Sequence, residues 1–152
     1  MISIMKCSLK KFFNAGCLGV LVCGLAACRR DGADVSSPQL NIQGKIEVSP
    51  VLAAQTKKSD SIFLIARPAE GGPPVAVKRF SGKNYPYEFQ ITNQDLMIQG
   101  EVMDSPLNIT ARVDRDGNAS TKKSGDMEGA YAKNPVSIRQ DNVSVVVDRI
   151  LP

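Results

Sequence analysis

Residues 107–114 read Leu-Asn-Ile-Thr-Ala-Arg-Val-Asp, and apolar and polar side chains alternate along this stretch. An alternation with a period of two places one face of an extended strand in a core and the other in water. The pattern recurs in residues 85–92, Tyr-Pro-Tyr-Glu-Phe-Gln-Ile-Thr, and in residues 142–148, Asn-Val-Ser-Val-Val-Val-Asp. The sequence therefore predicts β-strands, with Tyr85, Tyr87 and Phe89 filling the core from one of them; an aromatic recognition surface is the alternative for these three residues.

Three further strands are predicted around these stretches. Residues 42–48 open the domain with a weaker alternation. Residues 61–67 and 74–80 are more continuously apolar, which predicts strands nearer the middle of the fold. Six or seven short strands without a long amphipathic helix indicate an antiparallel β-sandwich, and an eight-stranded barrel with the same periodicity is the alternative.

Turn-forming residues separate the predicted strands. Gly-Gly-Pro-Pro at 71–74 links the second and third strands, and Ser-Gly-Lys-Asn at 81–84 links the third and fourth. Asp-Gly at 116–117 is typical of a tight hairpin turn. One helical turn is predicted over 49–55, where a serine can cap the helix and a proline occupies its first position.

The N-terminal segment, residues 1–27, is predicted to be a cleavable export signal. A short region with three lysines precedes an apolar run over 12–25 that is too brief to span a bilayer. The sequence Leu-Ala-Ala-Cys at 25–28 resembles the bacterial lipobox, in which the cysteine receives a lipid. We therefore expect acyl chains on Cys28. Residues 28–40 are expected to form a tether, because Asp, Gly, Ala, Ser and Pro dominate them.

This processing sets the expected compartment of the mature chain. An anchor with two or more acyl chains holds a protein firmly on a membrane. The residue after the cysteine is Arg29, and not the aspartate that retains enterobacterial lipoproteins in the inner membrane. We therefore expect a protein that faces the periplasm, on the outer membrane in preference to the inner one. The other three cysteines leave with the signal, so no thiol remains for disulfide or redox chemistry.

The residue inventory argues against an enzyme and against a cofactor. The sequence contains no histidine, which removes the commonest general base and the commonest metal ligand. Residues 114–118, Asp-Arg-Asp-Gly-Asn, offer half of a calcium loop, but the glycine comes too early and the twelfth position lacks a glutamate. A solvated turn is the favoured interpretation of this stretch.

Charge gives no support for nucleic acid as a partner. Three of the 19 Lys and Arg residues lie in the predicted signal, which leaves 16 against 15 Asp and Glu, and no basic block occurs. Lys78 and Arg79 offer a contact for an acidic partner, although a solvated strand end is the simpler interpretation.

Several motifs in fixed order resemble one known family. They are Gly-x-Ile-x-Val at 44–48, Ser-Ile-Phe-Leu-Ile-Ala-Arg at 61–67, Gly-Gly-Pro-Pro-Val-Ala-Val-Lys-Arg at 71–79, Tyr-Pro-Tyr-x-Phe at 85–89, Ala-Arg-Val at 111–113 and Ser-Gly-Asp-Met-Glu-Gly at 124–129. From Gly44 to Gly129 the sequence is similar to the C-terminal immunoglobulin-like domain of the cytochrome c-type biogenesis protein CycH. Residues 135–151 are expected to add strands beyond the end of this resemblance.

The resemblance implies an all-β, immunoglobulin-like antiparallel β-sandwich of about seven strands with one short helical turn, over residues 41–152. It also implies binding or assembly without catalysis, because members of the family help present unfolded cytochrome c to haem ligation. Haem-ligation or other envelope proteins are then the expected partners. Two glycine-containing segments are the candidate partner-binding sites: Gly71, Gly72, Pro73 and Pro74 in one, and Gly125, Asp126, Glu128 and Gly129 in the other. A structural outer-membrane lipoprotein without a cytochrome role is the alternative.

Overall fold

The structure, a computed structural model, describes residues 39–101 and 103–152. The predicted signal, the lipid acceptor Cys28 and the tether up to residue 38 lie outside the described residues. The elements in chain order are β1 (Asn41–Val48), α1 (Pro50–Ala53), β2 (Ser61–Pro68), β3 (Ala76–Ser81), β4 (Tyr87–Thr92), a 3-10 turn (Asn93–Asp95), β5 (Leu107–Asp114), β6 (Met127–Tyr131) and β7 (Arg139–Ile150). Within these two described ranges, no helix has the length and apolar character needed to cross a bilayer.

The strands form one sheet with the order β3-β2-β5-β6-β7-β1-β4. Neighbouring strands are antiparallel except β1 and β7, which run parallel. The predicted all-β class of about seven strands with one short helical turn is thus confirmed, with one parallel pairing in place of a wholly antiparallel arrangement.

The two edge strands of the sheet, β3 and β4, come close to each other. The rings of Phe80 on β3 and Tyr87 on β4 have centroids 5.4 Å apart. The Lys78 ammonium of β3 donates to the backbone oxygen of Gln90 on β4 at 2.6 Å and pairs with Asp95 at 3.0 Å. An edge strand that is covered in this way offers fewer open backbone groups to foreign strands.

One apolar core is formed by buried side chains from all seven strands. Alternate residues of each strand enter it, as the period of two predicts, and the fully enclosed members include Ile42, Ile46, Ile62, Leu64, Leu107, Ile109, Val143 and Val145. Phe89 is buried as predicted, whereas Tyr85 and Tyr87 are only partly buried and pack against the cluster. The core therefore takes most of its volume from branched aliphatic side chains, which suit pleated strands.

Three local predictions are wrong. Strand β3 lies at an edge of the sheet, and its apolar character reflects cover from β4 and from Leu96, which bridges to Ala76. The Asp-Gly pair at 116–117 does not form a two-residue hairpin, because twelve residues, 115–126, connect β5 to β6. Helix α1 begins at Pro50, but the side chain of Ser49 makes no capping hydrogen bond.

The strand directions divide the connecting segments between two ends of the fold. At one end, which we call the near end, the described chain begins and β1, β3, β5 and β7 start. At the opposite end, which we call the far end, lie α1, the turn before β2, the β3–β4 turn and the β5–β6 loop over 115–126. The two predicted partner-binding segments therefore fall at opposite ends.

Candidate binding surface at the far end

The first predicted segment, Gly71 to Pro74, is a loop at the near end. It connects β2 to β3, as predicted, and Gly71, Gly72 and Pro73 are exposed. Both glycines have positive φ angles, of 100° and 113°. A Cβ atom built on either glycine would meet no atom within 4 Å. The loop therefore needs its glycines for the backbone turn and not for close packing.

The second predicted segment, Gly125 to Gly129, lies partly in a strand and is mostly buried. Residues 127–131 form β6, between β5 and β7 in the sheet. Asp126, Glu128 and Gly129 are buried. A Cβ atom on Gly129 would lie 1.9 Å from the backbone oxygen of Val146, so the glycine allows β6 and β7 to approach. These residues are thus buried at the far end and do not form its exposed surface.

A buried ion pair organises the β5–β6 loop. The Arg112 guanidinium lies 3.4 Å from the Asp114 carboxylate, and both side chains are almost fully enclosed. Arg112 also donates to the backbone oxygens of Asn118 and Ala119, at 3.2 and 2.7 Å. These contacts hold the loop from the inside at residues 118 and 119, because a charged guanidinium forms strong hydrogen bonds to backbone oxygens.

The Asp114 carboxylate holds the start of the same loop. Its Oδ1 atom accepts backbone N–H bonds from Asp116, Gly117 and Asn118, at 3.2, 2.6 and 3.0 Å. Burial raises the pKa of this carboxyl, and the N–H donors from Gly117 and Asn118 oppose that rise. A carboxylate that accepts three backbone bonds forms a compact turn. Because the Oδ1 oxygen already accepts bonds from its own backbone, it is not free to coordinate an ion, which argues against a calcium loop at 114–118.

Two further buried acids anchor the end of the loop. Asp126 accepts backbone N–H bonds from Lys123 and Arg115, at 2.9 and 3.4 Å. The Glu128 carboxylate pairs with Lys122 at 2.5 Å and with Arg149 at 2.9 Å. Burial works against ionisation of Glu128, but the two cations outweigh it, and the pKa of the carboxyl lies below its usual value.

Basic side chains cover the outside of this frame. We define the basic surface by its seven exposed cations, which are Lys57, Lys58, Arg79, Arg115, Lys122, Lys123 and Arg149. Arg79 connects the loop to β2, because its guanidinium donates to Ser61 Oγ at 2.7 Å and lies 3.6 Å from a Cβ built on Gly117. Asp116 pairs with Lys123, and this contact lowers the pKa of Asp116 to about 2. Asp116 is therefore ionised at neutral pH and offsets the charge of Lys123.

The seven cations of the basic surface are exposed, and so are the far-end acids Asp116 and Asp148, whereas four other acids of this end are not. Asp60, Asp114, Asp126 and Glu128 are all buried. Among the described residues, Arg79 and Arg115 have no carboxylate within ion-pair distance. Sequence reasoning missed this surface, because its cations come from four separate segments. The one sequence signal for the basic surface is the predicted contact of Arg79 with an acidic partner.

Comparison with known proteins gives the family. The model of the immunoglobulin-like domain of cytochrome c-type biogenesis protein H matches residues 42–148. This chain belongs to that family. The match extends through most of β7, so the predicted end of the resemblance at Gly129 is too early.

Two curated relatives share part of this chain. The cytochrome c-type biogenesis protein CycH of Pseudomonas aeruginosa is 39% identical over 79 residues, which are 49% of this chain and 19% of that protein. An uncharacterized protein of Aquifex aeolicus is 29% identical over 89 residues, which are 58% of this chain and 59% of that protein. The chain thus spans less than two thirds of either relative. No solved structure gives a significant match.

Proposed function

We propose that this protein is a lipid-anchored periplasmic binding module that acts, without catalysis, as an accessory factor in cytochrome c biogenesis. The observation that carries the proposal is the family match over 42–148, supported by 39% identity to a protein named for cytochrome c-type biogenesis. Haem-ligation proteins, or another envelope complex, are the proposed partners.

The basic surface at the far end is the proposed contact for an acidic segment of the partner. Its cations stand on a frame that the buried Arg112 and Asp114 pair holds in place. Exposed charges of one sign steer an oppositely charged partner and set the orientation in which it arrives. Individual exposed ion pairs contribute about 0.2–1 kcal/mol, so several cations together give a specific but reversible contact.

The proposed location follows from the sequence at residues 25–28. Leu-Ala-Ala-Cys after a basic and apolar signal supports lipidation of Cys28, and Arg29 supports the outer membrane over the inner one. Radiolabelled fatty acid should enter the mature protein, and Cys28→Ser should abolish both the label and sedimentation with membranes. An unlabelled chain in the soluble fraction would refute the anchor.

Charge reversal at the basic surface tests the contact. A deletion strain is complemented with the unaltered gene, with Lys58→Glu/Arg115→Glu, or with the control Lys133→Glu, which reverses an exposed cation at the near end. The first two strains should differ in haem-stained c-type cytochromes and in recovery of haem-ligation proteins from detergent extracts. The double reversal should weaken recovery about tenfold, since each lost and reversed contact costs about 0.5–1 kcal/mol. The control should behave like the unaltered protein.

Two outcomes would contradict the proposal in different ways. Normal haem staining in the deletion strain, together with envelope sensitivity, would favour the structural lipoprotein without a cytochrome role. If the deletion strain has a clear cytochrome defect, and Lys58→Glu/Arg115→Glu restores it as well as Lys133→Glu does, the role in biogenesis would stand. The partner contact would then lie outside the basic surface.

A further inference from the structure

The described chain begins next to the 3-10 turn Asn93–Asp95 at the near end. The backbone N–H of Leu40 donates to the side-chain oxygen of Asn93 at 2.7 Å. Asn93 opens the 3-10 turn Asn93–Asp95, and the chain then continues through Leu96 to Met97 and Ile98. The residues that follow this turn are therefore fastened to the point at which the chain from Cys28 arrives.

Met97 and Ile98 form an exposed apolar tip. Their side chains are 63% and 66% exposed, whereas the preceding Leu96 is buried. The backbone N–H of Met97 donates to the oxygen of Val75 at 2.8 Å, so the tip is tied to the loop between β2 and β3. Single apolar residues on a surface need no explanation, but two large neighbours held outward on an anchored turn present a contact area.

We propose that this tip, Met97 and Ile98, inserts into the surface of the lipid bilayer that carries the Cys28 anchor. The inference rests on the lipid anchor of the proposed function. Ten residues lie between Cys28 and Gln39, and the eleven Cα-to-Cα steps from one to the other reach at most about 40 Å. The near end therefore stays within that distance of the bilayer, and the tip lies at the end that the anchor holds.

The charges of the near end fit a neutral lipid surface. Glu70, Glu101, Asp104 and Asp141 are exposed there, and so are Lys133 and Arg139. The near end thus carries a small excess of acids, which gives no attraction to anionic lipids. The contact is apolar, and we expect it to depend little on salt, in contrast to the basic surface. Insertion of the tip would direct the far end, with its cations, away from the membrane.

Depth-dependent quenching tests the proposal on the complete lipoprotein. Because lipidation consumes the cysteine of the mature chain, Glu101→Cys and Ser120→Cys can each carry an environment-sensitive fluorophore, the first beside the tip and the second at the far end. Each labelled lipoprotein is reconstituted into phosphatidylcholine vesicles that contain acyl-chain nitroxide lipids. Flotation of the same samples measures whether the lipid anchor holds.

The label at position 101 should be quenched at least threefold more than the label at position 120. Met97→Gln/Ile98→Gln should reduce that difference to less than half, whereas the control Val51→Gln, at an even more exposed apolar residue of the far end, should leave it unchanged. Equal quenching at both labels in vesicles that float with the protein would overturn the tip and leave the anchor intact. Protein that fails to float would refute the anchor, and with it the inference that rests on it.

Discussion

Gly129→Ala is expected to destabilise the protein severely, although the residue belongs to a segment that the sequence predicts as a candidate partner-binding site. Gly129 pairs with Val147 across β6 and β7, where the register shifts by one residue. A Cβ atom at this position would lie 1.9 Å from the Val146 oxygen and 2.6 Å from the Val147 Cα. Both neighbours are backbone atoms of a central strand, so no flexible side chain can give way.

The size of the effect follows from the required displacement. A carbon and a carbonyl oxygen approach to about 3.3 Å in favourable contacts, so the strands must separate by more than 1 Å. A ladder hydrogen bond with an N···O distance of about 2.9 Å does not survive such a shift. Loss of about two bonds with buried partners costs about 3–5 kcal/mol, which is a large share of the 5–15 kcal/mol that stabilises a typical domain.

Urea unfolding of the purified protein, followed by far-ultraviolet circular dichroism, measures this cost. Gly71→Ala is the matched control, because its Cβ meets no atom within 4 Å and only the positive φ of 100° is strained, at about 1–2 kcal/mol. The reasoning is wrong if Gly129→Ala is no more destabilising than this control. Gly44→Ala, whose Cβ would lie 1.9 Å from the Val143 oxygen, should resemble Gly129→Ala.

Three other substitutions test the frame and the core. Asp114→Ala should lose at least about 3 kcal/mol in urea titrations, and Asp114→Asn should lose less, because only the alanine removes the acceptor of three backbone N–H bonds. Glu128→Gln should cost about 1 kcal/mol at pH 7, where the lowered carboxyl pKa adds stability. That stability difference should shrink as the pH falls below 4.5, the usual pKa of a glutamate, and through the lowered pKa of Glu128. The difference is small because Lys122 and Arg149 are half exposed, so water screens both ion pairs. Ile46→Ala should lower stability by about 2–5 kcal/mol, because the side chain is fully enclosed, while Val51→Ala at an exposed position should change it by less than about 0.5 kcal/mol.

The strands with strict alternation could be predicted from the sequence, because their period survives in the fold. Strand β5 spans Leu107–Asp114 as the pattern predicts, and β2 begins at Ser61. Strand β6 was missed, since Met-Glu-Gly-Ala-Tyr contains a charge and a glycine, which suggest a turn. Gly129 is explained by the close approach of β7. A contact between distant strands cannot be read from the pattern of neighbouring residues.

The position of β3 could not be derived from its own residues. Continuous apolar character usually indicates a strand covered on both faces, yet β3 is an edge strand. The cover comes from distant residues, because Tyr87 packs on Phe80 and Leu96 bridges to Ala76. A single sequence shows the apolar residues but does not show which segment returns to cover them.

The basic surface arises from a rule that composition cannot reveal. Short acidic side chains form turns by accepting backbone N–H bonds, as Asp60 does from Lys57 at 2.8 Å and Asp126 from Lys123 at 2.9 Å. Each acid is thereby drawn beneath its turn, while the long lysine side chains of the same turns extend into water. A chain with nearly equal numbers of acids and bases thus presents cations at the far end, and the turns that order this end also create its charge.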